Sequence, residues 1–455
     1  MQIFIDDLED RTPVAIAAHV ARLISSGRLV QGERLPTVRE LAGALAVSPA
    51  TISHAWRALA SVGMIVSRGR SGTFVLGTAP RWLPARSRSM ASQSSEVRVD
   101  LSRGTPDPQL LPSLGPALSR LQEHTVTPSY QALPVIPELL AVLERTWPYP
   151  AEALTVVDGA LDAVSRSLEQ VTRFGDRVIV ENPGFPPFFD LLDQLGLERL
   201  PVAVDENGIV PAEFHAALRR GPAAVILQPR AQNPTGASMP AERAAELARL
   251  LRTVPQATTT IVIEDDHSGE ISTAPDVSLG SWLPHRVLHV RSYSKTHGPD
   301  LRIAAIGGPA ALIDAIVARR MLGPGWTSRM LQAVLHDLLT EGDSMAQVSE
   351  ARRIYFARQR ALRAALAERG LAVPPADGIN MWLPVYDERE ALVQLAASGI
   401  RVAGGSPFLA NERSGEFIRV TAAALPDDVA FIASALVRAA LPPPLNPADS
   451  DPRWN

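Results

Sequence analysis

Lys295, within the segment RSYSKTHGPDLR (291–302), is the single lysine among the 44 basic residues of this 455-residue chain. A lysine amine can lose its proton and condense with an aldehyde to form a Schiff base, whereas an arginine guanidinium stays protonated. A solvated surface lysine would have no such role, so its neighbours decide between the two interpretations. Ser292 and Ser294 precede it by three and one positions, and Arg302 follows by seven. Two hydroxyls and a guanidinium beside an amine suit a phosphate held next to an aldehyde.

Segments upstream of Lys295 supply groups that suit a pyridine ring. Asp265 ends the apolar run TIVIED, and a carboxylate at the end of a strand can keep a ring nitrogen protonated, which makes the ring an electron sink. Asn233 opens the motif NPTG and could donate a hydrogen bond to a phenolate oxygen, while Phe185 in NPGF could stack on the ring. The turn VVDGALDAV offers a helix N-terminus where a phosphate binds readily. Its backbone N–H groups belong to Gly159, Ala160 and Leu161.

Several other classes of function are excluded. The segment from Ser292 to Lys295 also matches S-x-x-K, but that acyl-enzyme chemistry needs a later K-T-G, which a chain with one lysine cannot contain. The nine histidines show no H-E-x-x-H spacing, so no metal site is predicted. No Walker loop for nucleotide phosphates is present either. The absence of cysteine fits a reducing cytoplasm. No signal peptide and no apolar run long enough to cross a membrane are found.

The order of apolar segments predicts the architecture that positions these groups. Short apolar runs alternate with helical segments over 99–440, which predicts an α/β domain with a mainly parallel central sheet. The runs are RVIVE (177–181), AAVILQ (223–228), TIVIED (260–265) and RVLHVRS (286–292). Residues 78–98 are rich in Pro, Ser and Ala without apolar periodicity, so a flexible linker is predicted there. The segment 441–455 is predicted to be a disordered tail.

The remaining segment, 1–77, contains most of a locally basic stretch, although the whole chain has a net charge of −4. Eleven arginines and two acidic residues lie between Arg11 and Arg88, a local charge of +9. Thr37 is a plausible N-cap for the helix VRELAGAL, and Ser48 for the helix PATISHAWRALASVG. In the latter helix the buried face is predicted to contain Ile52, Ala55, Trp56 and Leu59. Outward-facing residues are then Thr51, Ser53, His54 and Arg57.

A basic hairpin follows these helices. The strands MIVS and TFVL flank RGRSG, which places Arg68 and Arg70 at the tip. This order of elements predicts a winged helix-turn-helix (mainly α) whose third helix enters the major groove, while Arg39 and the wing meet backbone phosphates. A small helical domain with a solvated arginine face is the alternative.

The segment from GRLVQGERLP to RGRSGTFV resembles the DNA-binding domain of GntR-type regulators, and the resemblance extends over 11–76. It implies DNA contacts by Arg39, by Ser48 and Thr51, and by the wing from Arg68 to Gly72. The other predicted DNA-binding residues are Thr37, Ser53, His54, Arg57 and Arg70. Because Pro49 and Ser53 stand where many members have basic residues, the base preference of relatives does not transfer.

The second region resembles fold type I pyridoxal 5'-phosphate (PLP) enzymes of the aminotransferase class. NPTG and SxSK-x6-R carry the resemblance, together with DLSRGTPDPQLLP (100–112), GGSPF (404–408) and FIRV (417–420). It implies that Lys295 holds PLP as an internal aldimine, that Asp265 pairs with the ring nitrogen and that Asn233 binds the ring oxygen. The phosphate would be held by Ser292, Ser294, Arg302 and the turn at Ala160, and the substrate carboxylate by Arg419.

Two further positions follow from the same resemblance. Tyr130 would reach a phosphate across a dimer interface, although the glycine usually found soon after it is missing. His267 stands where the class commonly has a tyrosine that contacts the ring oxygen. A histidine there is expected to titrate in the physiological range and so to retune the cofactor. A plain supporting role for His267 is the alternative.

A GntR-type winged helix joined to an aminotransferase-like domain is the layout of the MocR subfamily of bacterial regulators. The resemblance implies a cytoplasmic homodimer with exchanged domains that binds an operator in double-stranded DNA at the nucleoid. It also implies sensing of PLP, an amine or an amino acid through an aldimine at Lys295. Two alternatives stay open: an aminotransferase with a DNA-binding head, and a DNA-binding protein whose large domain is a dimerisation scaffold without cofactor.

Overall fold

The computed structural model describes residues 2–5, 8, 11–25, 28–61, 65–67, 71–75, 84, 86, 98–121, 129–411 and 415–441. The chain divides into two compact units, Met1–Gln93 and Ser94–Asn455. The tip of the predicted wing at 68–70 lies outside the described residues, as do most of the predicted linker at 78–98 and nearly all of the tail at 441–455. Those expectations therefore stay predictions. Within the described ranges, no helix is long and apolar enough to span a membrane.

Three helices form the first unit: α1 (Pro13–Ser25), α2 (Val38–Leu45) and α3 (Pro49–Ser61). α2 begins where predicted because Thr37 and Glu40 form a capping box. The hydroxyl of Thr37 accepts from the N–H of Glu40, and the carboxylate of Glu40 accepts from the N–H of Thr37 at 2.8 Å. Ser48 accepts from the N–H of Thr51 at 3.1 Å, which caps α3 in the same way.

The first unit has its own apolar core and a short hairpin. The α3 residues predicted to face inward are buried, and they pack with residues of α1 and α2 such as Val20, Leu41 and Leu45. The strands β1 (Ile65–Ser67) and β2 (Thr73–Val75) pair antiparallel. The predicted order of three helices followed by a hairpin is thus the observed one.

An eight-stranded sheet forms the centre of the second unit, in the order β4–β11–β10–β9–β8–β5–β6–β7. Its strands are β4 (Ala153–Val157), β5 (Arg177–Asn182), β6 (Glu198–Asp205), β7 (Gly208–Ile209), β8 (Ala224–Leu227), β9 (Ile261–Asp266), β10 (Val287–Ser292) and β11 (Ala304–Gly308). β10, β9, β8, β5 and β6 are mutually parallel neighbours, while β4, β7 and β11 pair antiparallel. The four predicted apolar runs are β5, β8, β9 and β10, which confirms the mainly parallel sheet.

Helices cover both faces of this sheet, and that is why its strands are apolar almost throughout. The described helices of the second unit are α4 (Gly115–Arg120), α5 (Pro137–Thr146), α6 (Ala160–Val171), α7 (Pro186–Leu195), α8 (Pro211–Leu218), α9 (Ala241–Thr253), α10 (Ala310–Met321), α11 (Arg329–Thr340), α12 (Gly342–Ala367), α13 (Glu388–Ala397) and α14 (Val429–Ala440). α5, α8 and α9 pack on one face of the sheet, and α6, α7 and α10 on the other.

A four-stranded sheet in the order β12–β14–β13–β3 completes the second unit. Its strands are β3 (Val99–Leu101), β12 (Asn380–Pro384), β13 (Ile400–Gly404) and β14 (Phe417–Thr421). α12 and α14 contribute residues to the core beneath it. β3 is the first strand of the unit and β12 to β14 are the last, so this sheet joins the two ends of the unit.

Candidate functional site

The ends of neighbouring strands bring the predicted residues to one edge of the large sheet. Ser292 at the end of β10 pairs with Ala304 of β11, which pairs with Val157 at the end of β4. Asp265 lies near the end of the adjacent parallel strand β9, and Lys295 follows β10 by three residues. Loops that follow parallel strands converge at this edge, so it is where a ligand site forms in such sheets.

The surroundings of Lys295 favour the unprotonated form of its amine. Its Nζ donates to the backbone carbonyl of Gly104 at 2.7 Å. Burial, assisted by the positive charge of Arg419, lowers the pKa of Lys295 to about 8, although Asp265 opposes the shift. A useful fraction of the amine is therefore unprotonated near neutral pH, which is the form that attacks a carbonyl carbon.

Asp265 is buried with one of its oxygens unsatisfied. Its Oδ2 accepts from Nε2 of Gln228 at 2.8 Å, whereas its Oδ1 is enclosed and has no donor among the described residues. Burial raises the pKa of Asp265 to about 6 despite the bond from Gln228. A buried acceptor without a donor is costly, so this atom marks the place where a ligand N–H would be stabilising.

Asn233 is tied to Asp265 through Gln228. The N–H of Asn233 donates to Oε1 of Gln228 at 2.8 Å, so the two ends of the Gln228 amide join the two residues. Oδ1 of Asn233 accepts from Nη1 of Arg419 at 3.3 Å. This bond orients the amide of Asn233 and leaves its NH₂ end as a donor, as the predicted contact with a ring oxygen requires.

Arg419 is a buried cation without an acidic partner among the described residues. Only 4% of it is exposed, its Nη2 donates to the carbonyl of Ser102 at 2.5 Å, and its Nε has no acceptor in the described part of the chain. Its Cζ lies 4.9 Å from the centre of the Phe408 ring. Burial lowers the pKa of Arg419 to about 10, so the group is still charged at neutral pH. An anion such as a carboxylate would complete this environment.

His267 is neutral at physiological pH, so the expectation that it titrates there is wrong. Burial first, and then the charge of Lys295, lower the pKa of His267 to about 4. Its Nε2 lies 2.9 Å from the carbonyl of Ala231, which can only accept. The proton of the neutral ring is therefore on Nε2, and Nδ1 is left as an acceptor.

Two of the positions predicted to hold a phosphate, Gly159 and Arg302, lie together at the start of α6. Gly159 precedes the helix with a φ of 107°, and a Cβ there would lie 2.7 Å from Nη2 of Arg302. The hydroxyls of Ser292 and Ser294 are 3.3 Å apart. The first N–H groups of a helix have no acceptor within it, and here they belong to Ala160 and Leu161. Arg302 and these N–H groups form an anion cradle, and the part of the two serine hydroxyls in it stays a prediction.

Two further predicted residues, Phe185 and Tyr130, each contact another aromatic side chain. Phe185 precedes α7 and packs edge-on against Phe188 at 5.2 Å between ring centroids. Tyr130 is 89% exposed and stacks on Trp326 at 6.0 Å. Within the described part of the chain, no hydrogen bond or ring contact joins either one to Lys295 or Asp265. Their roles stay predictions.

The arrangement around Lys295 fits PLP. A partly neutral amine, a buried carboxylate oxygen that lacks a donor, an amide NH₂ and an anion cradle match the aldehyde, ring nitrogen, ring oxygen and phosphate of that molecule. The unsatisfied Oδ1 of Asp265 is the most specific of these observations, because a ring N–H would satisfy it.

The face of the first unit predicted to contact DNA is polar. Arg39, His54 and Arg57 are exposed, and Thr51 and Ser53 are half-buried. The exposed hydroxyl of Ser48 lies 2.9 Å from that of Thr51. Gly72, the end of the predicted wing contact, has a φ of 105°. Arg68 and Arg70 lie outside the described residues, so the wing tip itself is not placed.

Three residues that contact the predicted sites were not predicted from the sequence. Arg34 lies against the wing, since a Cβ on Gly72 would be 2.7 Å from its Nε; its place in the basic stretch was a usable signal. Gln228 directly follows β8, beside the strand that carries Asp265, and that position could have drawn attention to it. Gly104 lies far from Lys295 in the chain, and its contact has no local signal.

Comparisons with known proteins agree with this division of the chain. Residues 13–75 match the bacterial regulatory proteins of the gntR family, and residues 97–433 match aminotransferase class I and II. The vitamin B6 salvage pathway transcriptional repressor PtsJ of Salmonella typhimurium is 36% identical over 427 residues, which cover 92% of this chain and 96% of PtsJ. The HTH-type transcriptional regulator TauR of Rhodobacter capsulatus is 29% identical over 465 residues, with 91% and 94% covered.

Among solved structures, the α-aminoadipate aminotransferase LysN of Thermus thermophilus has a TM-score of 0.66 and covers 78% of this chain and 97% of its own. At 23% identity this likeness shows the fold. A winged helix-turn-helix combined with a fold type I aminotransferase unit defines a class of DNA-binding regulators. The chain belongs to the GntR family of bacterial transcriptional regulators and has the MocR architecture, which confirms the resemblance noted above.

Proposed function

We propose that this regulator binds an operator in double-stranded DNA through its first unit and senses PLP, an amine or an amino acid at Lys295 of the second. The observation that carries the proposal is the buried Lys295 amine near Asp265, whose Oδ1 lacks a donor among the described residues. The name of PtsJ, a repressor of vitamin B6 salvage, supports the cofactor. When bound, PLP supplies an aldehyde that reacts with amines and a ring that absorbs visible light.

Each side chain has a role in this proposal. Lys295 binds the aldehyde covalently, Asp265 accepts from the ring nitrogen, and Asn233 donates to the ring oxygen. Arg419 receives the carboxylate of an effector. Phe185 stacks on the ring, and the phosphate is held by Ser292, Ser294, Arg302 and the first N–H groups of α6, with Tyr130 from a second copy.

Absorbance tests the cofactor site. We expect the purified protein to bind PLP with a visible band that survives dialysis, and borohydride to fix the label on Lys295. Because Lys295 is the only lysine, peptide mapping separates this link from one at the N-terminus. Lys295→Arg is the matched control, since it keeps the charge but cannot form the link. A colourless wild-type protein in excess PLP would contradict the proposal.

Gel shift against the DNA upstream of the chain's own gene tests the first unit. Arg39→Ala combined with Arg68→Ala should weaken binding and reduce the salt slope by about 1 for each phosphate that is no longer neutralised. Arg319→Ala removes an exposed arginine of α10 and serves as the control. Binding that is insensitive to the double substitution would rule out the proposed docking of α3 and the wing.

The effector acts through a change in conformational preference. Lys295 would hold the cofactor, an effector amine would compete with the Lys295 amine for it, and Arg419 would receive an effector carboxylate. For this to alter DNA binding, the ligand must bind one conformation of the protein more tightly than another. PLP alone is the alternative effector. Operator affinity measured without PLP, with PLP, and with PLP plus an amino acid separates the two.

The proposed active form is a cytoplasmic homodimer with exchanged domains. Each chain comprises a DNA-binding domain at 1–77, a linker at 78–98, an effector domain at 99–440 and a tail at 441–455. The exposed Tyr130, stacked on Trp326, supports an interface there, because neighbouring aromatic side chains form a contiguous apolar patch and such patches often mark association surfaces. Trp326→Glu should lower the sedimentation coefficient towards that of a monomer. Phe174→Glu, at an aromatic residue that is also 89% exposed, should not.

Aminotransferase activity is a second candidate function. Arg419 and the Lys295 amine favour it, because together they could bind an amino acid beside the cofactor. Incubation with amino acids and 2-oxoglutarate should then give glutamate over many turnovers. Conversion of less than one equivalent per chain would leave sensing as the function.

A further inference from the structure

A short segment after β3 already contacts both cationic groups of the site. The carbonyl of Ser102 accepts from Nη2 of Arg419 at 2.5 Å, and the carbonyl of Gly104 accepts from Nζ of Lys295 at 2.7 Å. We refer to residues 102–104 as the plug segment. Its main-chain oxygens bond to Arg419, which the proposed function assigns to the effector carboxylate, and to Lys295, which it assigns to the cofactor.

The plug segment also closes the space around the guanidinium. Gly104 has a φ of 62°, and a Cβ on it would lie 2.9 Å from Nη1 and 3.0 Å from Cζ of Arg419. Nη1 and Nη2 already donate to Asn233 and Ser102. A carboxylate that binds an arginine with both oxygens needs two adjacent nitrogens. With 4% of Arg419 exposed, it can gain them only if a neighbour moves away.

Movement of the plug segment would be transmitted to β3, the strand that directly precedes it. Leu101, the residue before it, pairs with Val402 of β13 and ends β3. The N–H of Gly104 donates to Oγ1 of Thr421 at 2.8 Å, which fixes the other end of the segment. Because β3 is the first strand of the second unit, the chain upstream of it leads to the DNA-binding unit. A shift at Ser102 is therefore one residue away from β3, the first described strand of the second unit.

We propose that the plug segment is a built-in competitor for the effector carboxylate, and that the effector is consequently an amino acid rather than a simple amine. The carboxylate replaces the Ser102 carbonyl on Arg419, displaces Gly104 and loosens β3. Only hydrogen bonds are exchanged in this step. The proposal rests on the proposed function, since it uses Arg419 as the carboxylate receptor and Lys295 as the cofactor residue.

Amide hydrogen exchange of the full-length, PLP-loaded protein tests it. The probes are three pairs that differ only by the carboxylate: L-alanine and ethylamine, L-leucine and 3-methylbutylamine, L-phenylalanine and 2-phenylethylamine. An amino acid that changes the visible band should speed exchange at Gly104 about tenfold, the change that corresponds to the loss of one hydrogen bond. Its matched amine should change the band without changing that exchange.

Three results would overturn the proposal. They are equal acceleration by an amine and its amino acid, unchanged exchange when an amino acid alters the band, and a PLP-loaded protein whose band responds to none of the amino acids. A protein that shows no PLP band at all refutes the proposed function instead, so the two failures are distinguishable.

A variant tests the plug segment without cofactor. Gly104→Ala places a methyl group against Arg419 at a positive φ, so it should displace the segment in the absence of any ligand. We expect about tenfold faster exchange at 102–104 and an operator affinity shifted in the direction produced by an amino acid. Gly115→Ala is the control, because its nearest neighbour is Ser113 Oγ at 3.7 Å. Wild-type exchange in Gly104→Ala would contradict the proposal.

Discussion

Replacing Gln228 by methionine removes the side chain that joins Asp265 to Asn233. In the wild-type protein its Nε2 donates to Asp265 at 2.8 Å, and its Oε1 accepts from the N–H of Asn233 at 2.8 Å. Both partners are buried, with 3% of Asp265 and 7% of Asn233 exposed, so water cannot easily replace the missing amide. Methionine has a similar length and volume, so the variant separates these hydrogen bonds from a packing defect.

The expected cost follows from the two groups left without partners. A buried donor or acceptor without a partner costs about 1–3 kcal/mol, and a charged one lies at the upper end. We therefore expect the free energy of unfolding to fall by about 3–4 kcal/mol at pH 8. The bond from Gln228 lowers the pKa of Asp265, so its loss should raise that pKa further above about 6. The loss of unfolding free energy in Gln228→Met should consequently be smaller at pH 5, where the carboxyl group of Asp265 is protonated in both proteins.

Urea denaturation of the PLP-free protein at pH 5 and pH 8 measures this difference. Gln394→Met is a matched control on α13, since it removes only a hydrogen bond to Glu390 at the surface. It should change the free energy of unfolding by less than about 0.5 kcal/mol. If Gln228→Met unfolds at the same urea concentration as wild type at pH 8, Gln228 does not stabilise the site and the reasoning is refuted.

Three further predictions concern single residues. Burial raises the pKa of Glu181 from 4.5 to about 8, so the free energy of unfolding should fall as the pH rises from about 4.5 to 8, where the unfolded chain has lost this proton and the folded protein still holds it. Glu181→Gln should remove this decline and so gain about 4 kcal/mol over wild type between pH 5 and pH 8 in urea denaturation; equal pH profiles would contradict it. With a pKa of about 8 for Lys295, the rate of PLP association in stopped flow should rise about tenfold from pH 7 to 9 and then level off. An ordinary lysine would give a rise of about a hundredfold without a plateau. Thr37→Ala should lower the unfolding free energy of the first unit by about 1 kcal/mol, because it removes the cap of α2. Ser53→Ala, which removes no cap, is the control in the same thermal melt, and equal melting of the two variants would refute the role of the cap.

Local patterns were sufficient for most elements of the fold. The helix predicted as VRELAGAL is α2, because the cap at Thr37 and the apolar spacing act within a few residues. The apolar runs that became β5, β8, β9 and β10 were recognisable because strands covered on both faces are apolar almost throughout. The resemblance to known families added roles such as that of Arg419, which no local pattern supplies.

Long-range contacts could not be predicted in this way. Gly104 and Lys295 are 191 residues apart, and Gln228 and Asp265 are 37 apart. Nothing in the local sequence indicates that their polar atoms meet. The error on His267 has the same origin, since its low pKa comes from burial and from the nearby charge of Lys295.

The sequence by itself determined which chemistry this protein has available: a single amine, a carboxylate and an arginine at strand ends, and a capped, basic helical unit before them. The tertiary structure decided the charge state of each group and the partner it meets. Removal from water and the field of neighbouring charges shift a pKa, and both depend on packing between distant segments. Lys295 is therefore identifiable from the sequence, whereas its lowered pKa and its bond to Gly104 are properties of the folded chain.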